Sequence, residues 1–133
     1  TVKDRGFLTE ICSEFRKNGI RTSIFVGADA AMVEGAAACG CDRVELYTEG
    51  YAGMYAKDRE AAIAPYLRTA ETVRDCGLGL NAGHDLNLEN LEYFIRTIPW
   101  TDEVSIGHAV ICDALYMGLE KTIQAYLSKV KIF

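Results

Sequence analysis

Residues 43–47 read Arg-Val-Glu-Leu-Tyr. In an extended chain Val44 and Leu46 project to one face and Glu45 to the other, because successive strand side chains alternate. The same one-sided pattern returns three times. In residues 20–26 (Ile-Arg-Thr-Ser-Ile-Phe-Val), Ile24 and Val26 oppose Ser23, and Phe25 breaks the alternation. In residues 78–82, Leu78 and Leu80 oppose Gly79 and Asn81; in residues 102–106, Val104 and Ile106 oppose Ser105. A sheet flanked by helices on both faces needs central strands that are apolar on both sides. One apolar face and one polar or small face instead suit a barrel, with helices outside and a site-bearing interior.

Helical spacing fills the gaps between these strands. Leu8, Ile11, Cys12 and Phe15 form one stripe, stopped by Asn18-Gly19. Asp29 is placed to cap a helix carrying Met32, Val33 and Ala36–Ala38, which ends near Gly40. A Gly- and Tyr-rich loop is predicted from Thr48 to Tyr55, and Tyr47, Thr48, Tyr51 and Tyr55 suit either a lid over a substrate or plain packing. A long helix follows with Ile63, Tyr66, Leu67, Ala70 and Val73 on one face, and Pro65 inside it predicts a break, a kink or a nearby start. Asn87 is read as the cap of a helix carrying Leu88, Leu91, Phe94 and Ile95, closed by Pro99. A short helix around residues 110–115 leads to a last one with Leu119, Ile123, Leu127 and Val130. Strand-then-helix repeats imply a parallel sheet.

The fold class is therefore α/β, about four βα units, the C-terminal half of a (β/α)8 TIM barrel. The chain has 133 residues, and a whole barrel runs to about 250. Residues 1–133 are expected to form a single domain, with the N-terminal half of the barrel absent from this chain. The chain opens on Thr1 and already reads as helix there. Two unpaired edges and an uncovered inner face predict that it does not form a stable monomer by itself.

Composition excludes several classes. Half the residues are hydrophobic and a quarter are charged, which suits a folded globular chain. Fourteen Lys and Arg against 19 Asp and Glu leave a net charge of −5, a poor match to nucleic acid. No apolar run approaches the roughly 18 residues of a membrane span, and no signal segment opens the chain, so a cytoplasmic location is expected. Five cysteines without such a segment read as reduced, buried thiols. Cys39-Gly40-Cys41 lacks zinc-knuckle spacing, so a metal site of Cys39, Cys41, Cys76 and His84 is a weak reading and no metal is expected.

The chemistry-bearing residues cluster at strand ends. His84 and His108 are the chain's two histidines, and each follows a glycine just after a strand. Ligand sites of parallel α/β folds lie at the C-terminal strand ends, and imidazole exchanges protons near neutral pH. Gly107-His108 also opens a helix, where free N–H groups favour phosphate. Glu45 points to the barrel interior, and a carboxylate taken out of water there implies a function unless it is merely exposed at a sheet edge. A structural imidazole is the alternative for either histidine alone. Arg21 and Arg43, at strand starts, read as surface charges.

These stretches have a known likeness. Residues 19–29 (GIRTSIFVGAD), 44–52 (VELYTEGYA), 80–86 (LNAGHDL) and 105–110 (SIGHAV), followed by Gly118-Leu119, resemble the C-terminal half of the pyridoxine 5'-phosphate synthase family. Asn-Ala-Gly-His together with Ile-Gly-His-Ala is a distinctive pair. The resemblance implies condensation of 3-amino-2-oxopropyl phosphate with 1-deoxy-D-xylulose 5-phosphate to pyridoxine 5'-phosphate, inorganic phosphate and water, with no cofactor. It implies His84 as proton donor and Glu45 as transition-state stabiliser. It implies Asp85, Gly107 and His108 as the substrate-binding residues, position 85 being commonly Gly in the family. Gly27 stands where many members carry Asp and is given no role. A dimer-based homo-oligomer, an octamer, is also implied. The family's other catalytic histidine and glutamate belong to the N-terminal half, so the chain as given is expected not to run the full reaction. Two other classes compete. A self-contained α/β phosphate-binding or signalling domain lacks an acidic partner for Asp29, and an aldolase-like lyase lacks a lysine at a strand end.

Overall fold

The computed structural model describes residues 3–131. Eleven elements follow one another: α1 (Arg5–Lys17), β1 (Ser23–Val26), α2 (Ala30–Ala38), β2 (Arg43–Tyr47), α3 (Glu49–Tyr55), α4 (Arg59–Asp75), β3 (Gly79–Gly83), α5 (Leu91–Thr97), β4 (Glu103–Ser105), α6 (His108–Met117) and α7 (Leu119–Val130). The strands form one parallel sheet in the order β1-β2-β3-β4. The arrangement is half of a (β/α)8 barrel, laid open as a sheet.

Register fixes which side chains share a face. Val26, Leu46, Ala82 and Val104 form one rung, and Ile24, Val44 and Leu80 the next. Val44, Leu46, Leu80 and Ala82 are sealed against the helical layer, where Val33, Ala36, Ala70, Val73 and Phe94 are equally inaccessible. Removing this apolar surface from water, at about 25 cal/mol per Å², drives the packing. The opposite face carries Phe25, Glu45, Asn81 and Glu103 on one rung and Tyr47, Gly83 and Ser105 on another. Strand parity is as the sequence implied, and Phe25 lies on the polar face, half exposed at 49%.

Helix ends follow local chemistry. The Asp29 carboxylate accepts from the Ala31 N–H at 2.9 Å, and Asp58 caps α4 through the Ala61 N–H at 2.9 Å. Pro65 neither breaks nor starts α4, which runs through it. The Thr69 hydroxyl donates back to the Pro65 carbonyl at 2.9 Å.

Several boundaries differ from the sequence reading. Strand β1 begins at Ser23, and the N–H and hydroxyl of Thr22 before it donate to the Asp42 carboxylate. Strands β3 and β4 are shifted or shortened to Gly79–Gly83 and Glu103–Ser105. The predicted loop of residues 48–55 is mostly helix α3. Tyr51 and Tyr55 sit one turn apart and pack edge-on at 5.5 Å, with Tyr51 also against Tyr66 and Phe94 at 6.0 and 5.3 Å. That packing outweighs the low helix propensity of Gly50 and Gly53, about 1 kcal/mol each. Gly50 is needed there, since a Cβ would stand 3.0 Å from the Tyr66 hydroxyl. Asn87 caps the turn before α5 through the Glu89 and Asn90 N–H groups, and the helix proper starts at Leu91. Helix α6 is longer than expected and opens at His108. The opening helix is described from Arg5, and Thr1 and Val2 lie outside the described residues. Among the described residues no helix is long and apolar enough to cross a membrane.

Candidate active site

The polar face of the sheet divides into two storeys. At the strand starts, Arg43 is no surface charge: its side chain is only 19% exposed. It donates to Asn81 Oδ1 at 3.0 Å and lies 3.3 Å from Asp102 and 3.7 Å from Glu103. The Asn81 amide donates to Glu103 at 3.2 Å, and Arg21 pairs with the same carboxylate at 2.9 Å. All three contacts are made by one guanidinium nitrogen, Nη1, so the charge is paired where it is partly buried. This network closes the lower storey with saturated ion pairs.

The upper storey is where the expected residues converge. Glu45, His84, Asp85, Gly107 and His108 all line one hollow of about 440 Å³ at the C-terminal strand ends, together with Ser105. Glu45 stands on β2, an interior strand, and is half-buried, so it is not a charge left exposed at a sheet edge. It lies directly over Gly83: a Cβ there would come within 2.3 Å of Glu45 Oε1. The missing side chain is what admits the carboxylate.

His84 leaves β3 with φ +80°, and Asp85 follows with φ +57°. Non-glycine residues pay about 1–2 kcal/mol in this left-handed region, and His and Asp are among those that tolerate it. The turn throws both side chains over the hollow, and both are exposed. The His84 imidazole rests against Tyr47 at 4.6 Å and Phe25 at 5.0 Å, both edge-on. Tyr47 and Phe25 are themselves 5.4 Å apart. The Glu49 carboxylate beside the Tyr47 hydroxyl, with partial burial, holds that phenol above its ordinary range. Phe25, which the alternation rule flagged as an exception, thus packs against the His84 ring without lining the hollow itself.

His108 is the first residue of α6, and its Nε2 lies 3.7 Å from Asp85 Oδ1. First-turn N–H groups have no partner within a helix, and the dipole adds partial positive charge. His108 and Ala109 of that turn line the hollow beside Gly107, an arrangement that can take a phosphate. Asp85 sets a carboxylate next to the same place.

Tyr51, offered as a lid residue, is wholly buried, and Thr48 is too. Neither reaches a ligand. Cys39 and Cys41 are buried near Cys12, whereas His84 is exposed at the strand ends. Burial pushes the Cys41 thiol up to about 11. Among the described residues no group of three or more His, Cys, Asp or Glu side chains is arranged to hold a metal ion.

Comparison with known proteins identifies the family. A family model described as "Pyridoxal phosphate biosynthesis protein PdxJ" matches residues 1–132. The chain belongs to the PdxJ family. A curated relative from Bacteroides thetaiotaomicron, named pyridoxine 5'-phosphate synthase, is 63% identical over 120 residues, covering 90% of this chain and 51% of the relative. Those of Cytophaga hutchinsonii and Flavobacterium johnsoniae, with the same name, are 59% and 50% identical over 131 residues, covering 98% of this chain and 55% of each relative. The chain spans about half the length of the curated relatives it matches.

Proposed function

We propose that this PdxJ-family chain is the C-terminal half of a pyridoxine 5'-phosphate synthase barrel, residues 1–133 forming one domain of it. The reaction joins 3-amino-2-oxopropyl phosphate to 1-deoxy-D-xylulose 5-phosphate. Amine and ketone form a Schiff base, phosphate leaves, and the ring closes with loss of water, giving pyridoxine 5'-phosphate. The observation that carries this reading is the convergence of Glu45, His84 and the first turn of α6 on one hollow at the strand ends.

Each group has a chemical task. The His84 imidazole, steadied by Tyr47 and Phe25, donates a proton to a departing oxygen. The Glu45 carboxylate stabilises the cationic character that builds on the condensing nitrogen. The N–H groups at Gly107 and His108 hold the phosphate of the aminoketone, with the Asp85 backbone beside them. The remaining acid–base groups belong to the other half of the barrel, so the 133-residue chain alone does not turn over. The assembled protein is a dimer-based octamer in the cytoplasm.

The test is turnover by the protein at its natural length with both phosphorylated substrates, read as phosphate release and product absorbance. His84→Asn and Glu45→Gln are each expected to lower kcat by about 10²–10⁴-fold with the fold intact. Parental turnover in either folded variant overturns that residue's role, and no turnover in the parent overturns the synthase reading.

A further inference from the structure

We infer that Thr48 and Asn90 are positioning residues for His84, acting through the backbone of the left-handed turn that carries it. This deepens the proposed function and rests on His84 as the proton donor. Two buried polar side chains stand behind the hollow. Thr48 is fully inaccessible, and Asn90 is 2% exposed. The Thr48 N–H donates to the Gly83 carbonyl at 2.8 Å. Its hydroxyl lies 2.7 Å from that oxygen and 2.5 Å from the His84 carbonyl oxygen, and its one proton serves the two in turn. The Asn90 amide donates to the Asp85 carbonyl at 3.1 Å.

Asn90 is itself held on both sides. Its Oδ1 accepts from the Asn87 N–H at 2.9 Å, and its carbonyl accepts from the Tyr51 hydroxyl at 2.7 Å. Consecutive carbonyls, Gly83, His84 and Asp85, are therefore each gripped by a buried donor. Left-handed φ values at two non-glycine residues persist only when surrounding bonds over-determine them. Here the bonds are these. Thr48 also follows directly on β2, the strand that carries Glu45, so one hydroxyl ties the strand of the carboxylate to the turn of the imidazole. Neither side chain lines the hollow, so neither touches substrate.

The test uses the protein at its natural length. Thr48→Val keeps shape and removes the hydroxyl; Thr48→Ser keeps it. The imidazole NMR signals of His84 and His108 are picked out from those of the whole protein with single His→Asn variants. In Thr48→Val the His84 signals are expected to lose the ring-current shift from Tyr47 and Phe25 while those of His108 stay. The kcat falls about 10- to 100-fold with KM for either substrate within about twofold. Thr48→Ser restores both. A folded Thr48→Val protein with unchanged His84 signals, or with parental kcat, overturns the inference. If Thr48→Val does not fold, Asn90→Ser, too short to reach the Asp85 carbonyl, is judged on the same two readouts. If the parent shows no turnover, the synthase reading falls, and the His84 signals alone decide whether Thr48 and Asn90 position the ring.

Discussion

Gly83→Ala separates the placement of Glu45 from the stability of the sheet. The added Cβ would meet Glu45 Oε1 at 2.3 Å and Ser105 Cβ at 3.1 Å, where ordinary contact starts at 3.4 Å. The carboxylate oxygen must therefore retreat by about 1 Å, and Ser105 must give by a few tenths of an ångström. The oxygen is the free end of a rotatable chain, so the fold absorbs the change. Residue 83 has no positive φ, and alanine brings no backbone strain. Overpacking costs about 1–3 kcal/mol, offset by about 0.4–1 kcal/mol from a less flexible unfolded chain. The expected fall in Tm is then no more than roughly 10 °C. A 1 Å misplacement of a reacting group costs about 10²-fold, near 2.7 kcal/mol in the barrier. Calorimetry and kcat/KM with both phosphorylated substrates read the two effects separately. A Gly83→Ala protein with kcat/KM within about threefold of the parent would refute the argument that the bare glycine fixes the carboxylate.

Other outcomes follow from single contacts. Asp85→Gly removes a negative charge beside the first turn of α6, so inorganic phosphate should bind about fivefold tighter by calorimetric titration, less so in high salt. Asp42 is held below the usual carboxylate range by hydrogen bonds from the Thr22 N–H and hydroxyl. Its stabilisation is thus present above the unfolded-chain value near 4 and is lost as pH falls through the lower folded value. Asp42→Asn should flatten the dependence of urea midpoint on pH below about pH 4 and lower the midpoint at pH 7. An aromatic disulfide reagent at pH 8 should titrate Cys76 and Cys112 quickly, and Cys12, Cys39 and Cys41 only after unfolding.

The parity of the strands was legible because alternation is a local property, and it carried Glu45 to the correct face. The strand-end glycines carried both histidines to one hollow for the same reason. Helix α3 was not legible from glycine content, although Tyr51 and Tyr55 at i and i+4 were a signal for it. Their partners Tyr66, Tyr93 and Phe94 lie far along the chain. Arg43 was misread because its acceptors, Asn81, Asp102 and Glu103, arrive from other strands. Thr48 was read as a lid or packing residue and Asn90 was not singled out, because a grip on backbone carbonyls leaves no pattern in side-chain type. Phe25 was visible only as an exception, and that exception marked the ring that packs against His84.

The unbroken register of the sheet also bears on how such a chain can change through inheritance. Loss of the Val44 codon would rotate every later side chain of that strand to the other face. The carboxylate would be driven into the apolar layer beneath the helices, and a leucine would face the hollow. Lengthening the exposed turn at Cys76-Gly77 would leave the rungs untouched. Insertions and deletions among descendants should therefore collect in the turns below the sheet and be purged from within the strands, whatever happens to individual residues.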